Sequence, residues 1–200
     1  MPELSATLRR MTQDTTIVWP VVQPTLTDGE LTLRQVEATD AKPMFEYIAG
    51  DLDIAEWTTV PHPYTMDDAV TAVEKWAAGY ENKEIMQFAI TVNGGPIIGH
   101  ISLQYISLMD HNAEIGYIIS KDARRKGLAT RATALLTDFA FRIGFRRINA
   151  VVMPDNIGSQ KTLLKAGYYQ EAVLRDFFTR RNGEQCEALS FVSLSRDRIN

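Results

Sequence analysis

The stretch Ala113 to Thr130, AEIGYIISKDARRKGLAT, predicts a β-strand that runs into a basic, glycine-containing loop, which then opens a helix. The tripeptide 124–126 brings three positive charges next to Gly127 and Ala129, small residues that let a ligand approach the backbone closely. The helix that follows directs its unpaired N–H groups and the positive end of its dipole at the loop. The stretch therefore predicts an anion site suited to phosphate or pyrophosphate; the alternative is a solvated basic turn before a surface helix.

Length and composition restrict the class of protein. Two hundred residues, of which 45% are hydrophobic and 23% charged, predict one globular domain. The net charge of -4 argues against a nucleic-acid-binding protein. A single cysteine, Cys186, excludes an internal disulfide and a C-x-x-C motif, and the chain contains no long apolar run. We therefore expect a cytoplasmic protein with no membrane partner, and three scattered histidines predict no metal site.

The order of predicted elements defines the fold class. Residues 1–28 are predicted to form an N-terminal arm held by Trp19, and residues 29–200 a single domain. Hairpin signals stand at Asn93-Gly94 and Asn182-Gly183, whereas 51–64 is predicted to be a loop. Thr65 with Asp68 predicts a capping box at the start of a helix, and the helical spacing of apolar residues from Ala132 to Ile143 predicts that the helix after the basic loop is amphipathic. Together the patterns predict an α+β fold, with a mixed, mostly antiparallel sheet of about seven strands flanked by about four helices.

Five separated motifs carry a family resemblance: LTLRQVEATDAKPMFEYI, AEIGYIIS, RRKGLAT, MPDNIGSQKTLLKAGY and EAVLRDFFTRRNGEQCEALSFVSL. In this order they resemble the GNAT superfamily of N-acetyltransferases, from about Glu30 to Leu194, and within it the RimJ/RimL branch of ribosomal-protein-alanine N-acetyltransferases. The spacing Arg124-x-x-Gly127-x-Ala129 is similar to the pyrophosphate loop of that family. The resemblance implies the GNAT fold, with acetyl-CoA as the acyl donor.

The resemblance also implies where the cofactor binds. Free backbone groups at Ile118 and Ser120 would pair with the pantetheine amides, so that the ligand behaves like an added strand. Asn156 would bond the pantetheine arm, although an asparagine at this place is also what a helix N-terminus needs. The full set of expected cofactor residues is Ile118, Ile119, Ser120, Arg124, Arg125, Lys126, Gly127, Leu128, Ala129, Thr130 and Asn156.

Acetyl transfer to an amine needs a neutral nucleophile and a stabilised thiolate leaving group. Glu114 is the candidate general base, acting through water, because it lies on the strand beside the expected thioester; a solvent-facing strand carboxylate is the alternative. Many GNAT enzymes protonate the thiolate with a tyrosine, but this sequence has Leu163 at that position. Ser159 is the candidate to take the place of that tyrosine. The alternative is that Ser159 is only a first-turn helix residue whose hydroxyl bonds the backbone.

The sequence is compatible with more than one class of acceptor amine. By resemblance it is the α-amino group of a protein or peptide N-terminus, with Trp57 in the acceptor wall. A polyamine or aminoglycoside-like amine is the alternative, for which Asp51, Asp53 and Glu56 would supply negative charge. A CoA-binding regulatory module without turnover is a third reading, and the oligomeric state is left open, with a homodimer as one option. Rossmann, P-loop and serine-hydrolase motifs are absent from the sequence.

Overall fold

The computed structural model describes residues 16–198, which form one eight-stranded sheet and five α-helices. The strands are β1 (Leu26–Asp28), β2 (Leu31–Gln35), β3 (Met86–Val92), β4 (Gly99–Ser107), β5 (Asn112–Ile119), β6 (Arg147–Val152), β7 (Tyr169–Thr179) and β8 (Gln185–Leu194). The helices are α1 (Ala41–Ala49), α2 (Leu52–Trp57), α3 (Met66–Glu81), α4 (Leu128–Arg142) and α5 (Ile157–Lys165). Short 3-10 turns cover Ala38–Asp40, Lys121–Ala123 and Ser195–Arg198.

The sheet has the order β1-β2-β3-β4-β5-β6-β8-β7. Every neighbouring pair is antiparallel except β5 and β6, which run parallel. This arrangement confirms the predicted α+β class and the mixed, mostly antiparallel sheet.

The parallel pair is interrupted after its first three residues. Asn112 to Glu114 of β5 pair with Arg147 to Asn149 of β6, and no pairing follows. Beyond that point β5 still pairs with β4 up to Ile119, and β6 still pairs with β8 up to Val152. A gap therefore opens inside the sheet, starting at Glu114.

Two apolar cores cover the two faces of the sheet. The larger core contains the inward face of α4, with Leu136 and Ala140, together with Leu163 of α5. The smaller core joins α1, α2 and α3 through Met44, Ile54 and Val73. Because side chains alternate along a strand, successive residues of β5 point into opposite layers.

Two short elements were not predicted. Leu26–Asp28 forms β1, paired with β2, so the sheet begins inside the segment predicted to be an arm. Leu52–Trp57 forms α2 inside the predicted loop, capped by Asp51, whose side chain accepts from the Asp53 amide. The eighth strand and the fifth helix explain the difference from the predicted counts.

The stronger local signals are confirmed by the structure. Thr65 and Asp68 form the predicted capping box at the start of α3, with the Asp68 amide donating to Thr65 Oγ1 at 3.1 Å. Both predicted hairpins are present, between β3 and β4 and between β7 and β8. These signals depend on few neighbouring residues, so local sequence was enough to predict them.

The described part of the N-terminal segment lies against the domain. The amide of Val18 donates to the Ile143 carbonyl at 2.8 Å, and the rings of Trp19 and Tyr80 are 5.2 Å apart. The Tyr80 hydroxyl donates to the Pro20 carbonyl at 2.8 Å. The prediction for residues 1–15 lies outside the described residues. Within residues 16–198, no helix has the length and apolar character needed to cross a membrane.

Candidate active site

The gap between β5 and β6 is lined by backbone groups of β5 that have no partner strand on that side. The Ser120 amide donates to the Ile98 carbonyl at 2.8 Å, so this amide faces β4 and not the gap. In an antiparallel ladder alternate residues direct both backbone groups to the same neighbour, which places those of Ile118 toward β4 as well. The expectation of free backbone groups at Ile118 and Ser120 is therefore wrong by one residue. The groups that face the gap are the Ile115 carbonyl, both groups of Tyr117 and the Ile119 amide, whereas the Ile119 carbonyl accepts from Arg124 Nε.

The loop between β5 and α4 has the geometry of an anion cradle. Arg125 and Gly127 adopt positive φ values of 60° and 76°, which turn the chain sharply before the helix. A Cβ at Gly127 would meet no atom within 4 Å, so this side of the loop is open. The amides of Leu128, Ala129 and Thr130 form the first turn of α4, where no intrahelical acceptor exists.

Within this loop, Arg124 has partners that the sequence did not predict. Its Nε donates to the Ile119 carbonyl at 3.1 Å, and its two terminal nitrogens pair with Asp51 and Asp53. The Asp51 side chain is only 4% exposed, whereas those of Arg124 and Asp53 are 30% and 65% exposed, so the Asp51 carboxylate is the shielded part of this group. Arg124 thus ties the loop to the start of α2, whereas the side chains of Arg125 and Lys126 are exposed.

Glu114 lies where the gap begins. Gln104 Nε2 and Asn149 Nδ2 donate to its two carboxylate oxygens at 3.4 and 3.1 Å. Burial raises the pKa of Glu114, and these two hydrogen bonds only partly offset that effect. A half-buried carboxylate with a raised pKa is a better proton acceptor than an exposed one.

Glu114 and Ile118 point into the same layer, since they lie four residues apart on one strand, and Ile118 packs against the α1–α3 core. Tyr117 points the opposite way and packs against the core of α4 and α5. The two sides of the gap therefore carry different chemistry: a carboxylate on the α1–α3 side and a phenol on the α4–α5 side.

Ser159 lies on the α4–α5 side of the gap, in the first turn of α5. Its Oγ is 2.9 Å from the Tyr117 hydroxyl, and its amide donates to Asn156 Oδ1 at 3.0 Å. Asn156 is therefore the N-cap of α5, one of its two expected roles. Leu163 is fully buried, so the position that carries tyrosine in many GNAT enzymes contributes only to packing.

The segment around Trp57 is held at both ends by arginines. Arg124 contacts its beginning, and Arg181 of the β7–β8 hairpin donates to the carbonyls of Ala55 and Val60. Trp57 lies between Ala55 and Val60 in the sequence, and its side chain is half-buried. Because Ile54 of the same helix belongs to the α1–α3 core, the segment lies in the layer toward which Glu114 points.

The acidic residues considered for binding a cationic acceptor form ion pairs with arginines of this chain. Asp51 and Asp53 pair with Arg124, and Glu56 lies 3.5 Å from Arg180 Nη1. These two guanidinium groups engage all three carboxylates but do not neutralise them, since Arg124 is shared by two carboxylates and Arg180 also pairs with Asp155. Within residues 16–198, no cluster of three or more histidine, cysteine or carboxylate side chains has the arrangement of a metal site.

Sequence reasoning missed three groups that surround the candidate residues: Asn149, Gln104 and Arg181. Asn149 carried a signal, because it is a polar residue inside the otherwise apolar strand INAVV. The role of Gln104 depends on the register between β4 and β5. The role of Arg181 depends on a contact between residues more than 120 positions apart, so no local sequence pattern indicates either.

Comparison with known proteins identifies the fold and its chemistry. Residues 30–169 match the model of the acetyltransferase (GNAT) domain family. The chain belongs to the GNAT family. It is 30% identical to the uncharacterized N-acetyltransferase YoaA of Bacillus subtilis over 77% of this chain and 88% of that protein. The GNAT resemblance seen in the sequence is thus confirmed, and the protein is an acetyl-CoA-dependent N-acetyltransferase.

Solved GNAT structures superpose on most of the chain. RimJ of Mycobacterium smegmatis, in complex with CoA-disulfide, has a TM-score of 0.82 at 21% identity, covering 89% of this chain and 90% of RimJ. A ribosomal-protein-S5-alanine acetyltransferase from Vibrio fischeri has a TM-score of 0.77 at 20% identity, covering 87% of this chain and 98% of that protein. These superpositions establish that the chain shares its fold with both proteins.

Proposed function

We propose that this GNAT enzyme transfers the acetyl group of acetyl-CoA to the α-amino group of a protein or peptide N-terminus, by direct attack of the amine on the thioester. The observation that carries the proposal is the placement of Glu114 at the start of the gap, on the same side as α2, the helix that packs through Ile54 and ends at Trp57. The substrate named for the V. fischeri structure, a ribosomal-protein alanine, agrees with this acceptor class.

In the proposed arrangement acetyl-CoA enters from the α4–α5 side. Its pyrophosphate binds the first-turn amides of α4 and the exposed side chains of Arg125 and Lys126. Its pantetheine arm pairs with the backbone groups of Tyr117 and with the Ile119 amide, which would extend the sheet into the gap. Asn156, whose Oδ1 caps α5, would donate to the arm through Nδ2. The thioester then reaches the beginning of the gap, next to Glu114.

The acceptor amine enters from the α1–α3 side, past Trp57. The nitrogen attacks the thioester carbonyl, a C–N bond forms, and the C–S bond breaks as its electron pair moves to sulfur. The amine proton passes through a water molecule to Glu114, whose raised pKa makes it a competent acceptor. Ser159 stabilises the departing thiolate with a hydrogen bond.

The choice of an α-amine follows from the amount of base that the site supplies. An α-amino group, with a pKa of about 7.7 to 8, costs roughly 1 kcal/mol to deprotonate at pH 7, whereas a lysine or polyamine amine near 10.4 costs about 4 to 5 kcal/mol. A single carboxylate acting through water suits the smaller cost.

The test measures CoA release with N-terminal ribosomal peptides, polyamines and aminoglycosides. We expect turnover with peptides, and Glu114→Gln should lower kcat/KM at pH 7 by about 100-fold, with partial recovery at higher pH as the free amine becomes abundant. Glu187→Gln, which changes an exposed strand carboxylate, is the matched control. An unchanged pH-rate profile in Glu114→Gln would contradict the base role. Turnover restricted to polyamines or aminoglycosides would contradict the acceptor class, and tight acetyl-CoA binding without turnover would indicate a regulatory module.

A further inference from the structure

A phenol lies beside the candidate leaving-group residue. The Tyr117 hydroxyl is 2.9 Å from Ser159 Oγ, a contact in which either oxygen can donate, and it also donates to the more distant Ser159 carbonyl oxygen at 3.3 Å. Tyr117 belongs to β5 and Ser159 to α5, so this contact joins the two elements that flank the gap on the α4–α5 side. The two hydroxyl groups form one hydrogen-bonded pair, although 42 residues separate them in sequence.

The surroundings keep the phenol protonated. Burial raises the pKa of Tyr117 to about 12, so the hydroxyl remains a neutral donor at the pH of turnover. The serine hydroxyl can accept one hydrogen bond and donate another. If Tyr117 donates to Ser159 Oγ, the serine hydrogen must point toward a different acceptor. Tyr117 is the partner that the structure gives Ser159 Oγ, and the gap lies beside this pair, so the serine hydrogen would be donated to a group bound in the gap.

We propose that Tyr117 is a positioning residue for the leaving thiolate: it donates its hydroxyl hydrogen to Ser159 Oγ and so turns the Ser159 hydrogen toward the sulfur of CoA. The inference rests on the proposed function, since it needs the thioester sulfur on the α4–α5 side of the gap. Neither hydroxyl changes its protonation state. The C–S electron pair stays on sulfur, the amine proton goes to Glu114, and the thiolate takes a proton from solvent after release.

The first test needs no acceptor amine. In the complex of the enzyme with CoA, the hydrogen bond from Ser159 should lower the pKa of the bound thiol, which ultraviolet absorbance of the thiolate measures across a pH titration. Tyr117→Phe should raise that pKa by about one unit, a tenfold change in acid dissociation, because one hydrogen bond to a charged group is weakened. An unchanged thiol pKa in Tyr117→Phe would overturn the proposal whatever the true acceptor is.

The matched control is Tyr168→Phe. Tyr168 is buried, and its hydroxyl is 2.6 Å from Thr137 Oγ1, so this variant also deletes a phenol from a hydroxyl pair, but one within the α4–α5 core. It should leave the thiol pKa and the CoA affinity unchanged. A shift of the same size in both variants would indicate general loosening of the core and would overturn the positioning role.

Turnover supplies the second readout. Tyr117→Phe should lower kcat about tenfold with little change in KM for acetyl-CoA, and the same substitution in a Ser159→Ala background should have almost no further effect, because Tyr117 acts through Ser159. Additive losses would contradict the coupling. If the wild-type enzyme acetylates no peptide but the thiol pKa still depends on Tyr117, the proposed acceptor class is wrong and the positioning role of Tyr117 stands.

Discussion

The Arg124→Ala variant separates two roles that the sequence alone assigned together. Arg124 and Arg125 are neighbours in the loop before α4, and both were expected to bind the pyrophosphate. In the structure Arg124 pairs with Asp51 and Asp53, whereas the Arg125 side chain is exposed. We therefore expect Arg124→Ala to lower protein stability and Arg125→Ala to weaken cofactor binding.

The size of the stability effect follows from burial. Breaking a fully buried ion pair by removing one partner costs about 3 to 5 kcal/mol, and an exposed pair contributes about 0 to 1 kcal/mol. The Asp51 side chain is 4% exposed and that of Arg124 is 30% exposed, so the pair lies between these limits. A cost of about 2 kcal/mol corresponds to a Tm decrease of roughly 4 to 8 °C for a chain of this length.

Thermal unfolding and calorimetric titration with CoA distinguish the two variants. Arg124→Ala should show the lower Tm with a nearly unchanged Kd for CoA, and Arg125→Ala should keep its Tm while its Kd rises about tenfold, the effect of one charge-assisted hydrogen bond. A normal Tm in Arg124→Ala, combined with a loss of CoA affinity as large as that of Arg125→Ala, would refute the reasoning. It would mean that Arg124 leaves its carboxylates to bind phosphate.

Three further predictions concern the sheet, the acceptor segment and the buried carboxylate. A Cβ at Gly99 would lie 2.4 Å from the Ile118 carbonyl oxygen, so Gly99→Ala should lower the free energy of unfolding by about 2 to 3 kcal/mol. Gly158→Ala is the control, because its new Cβ would have its nearest contact at 3.7 Å and should cost little. Equal Tm values for the two variants would contradict this account. Trp57→Ala should raise KM for peptides several-fold and leave CoA affinity unchanged in a calorimetric titration, whereas an unaltered peptide KM would remove Trp57 from the acceptor wall. Burial raises the pKa of Glu114, so its contribution to stability is complete below the unfolded-state pKa and is lost as pH rises through the folded-state pKa. Glu114→Gln should therefore unfold at a higher temperature than wild type near pH 8, with the difference closing below about pH 4, and a constant difference across pH would be inconsistent with that sign.

Local signals in the sequence were enough for most of the fold. The glycine turns, the capping box at Thr65 and the amphipathic pattern of α4 each depend on residues within a few positions of one another. The elements that were missed are short: β1 has three residues in a proline-rich segment, and α2 has six. Elements of that length gain their stability from tertiary contacts, such as pairing with β2 or burial of Ile54, so their own sequence carries a weak signal.

The candidate site was predictable in its residue types and less so in its geometry. The sequence singled out Glu114, Ser159 and Asn156, and the structure places each of them at or beside the gap between β5 and β6. The direction of the backbone groups along β5 depends on register with β4, a one-residue distinction that alternation of side chains cannot settle. The partner of Arg124 is more than 70 residues away, so its ion pairs could not be read from the loop.

The short pairing between β5 and β6 has a consequence for how the protein responds to its surroundings. Three residue pairs join the five-strand part of the sheet to the three-strand part. A ligand that fills the gap would couple the two parts, and at a concentration 100 times its Kd it would add about 2.7 kcal/mol to the free energy of unfolding. Amide hydrogen exchange at Tyr117 and Ile119 would then slow when CoA is added. The resistance of this enzyme to heat and proteolysis would follow the supply of its acyl donor.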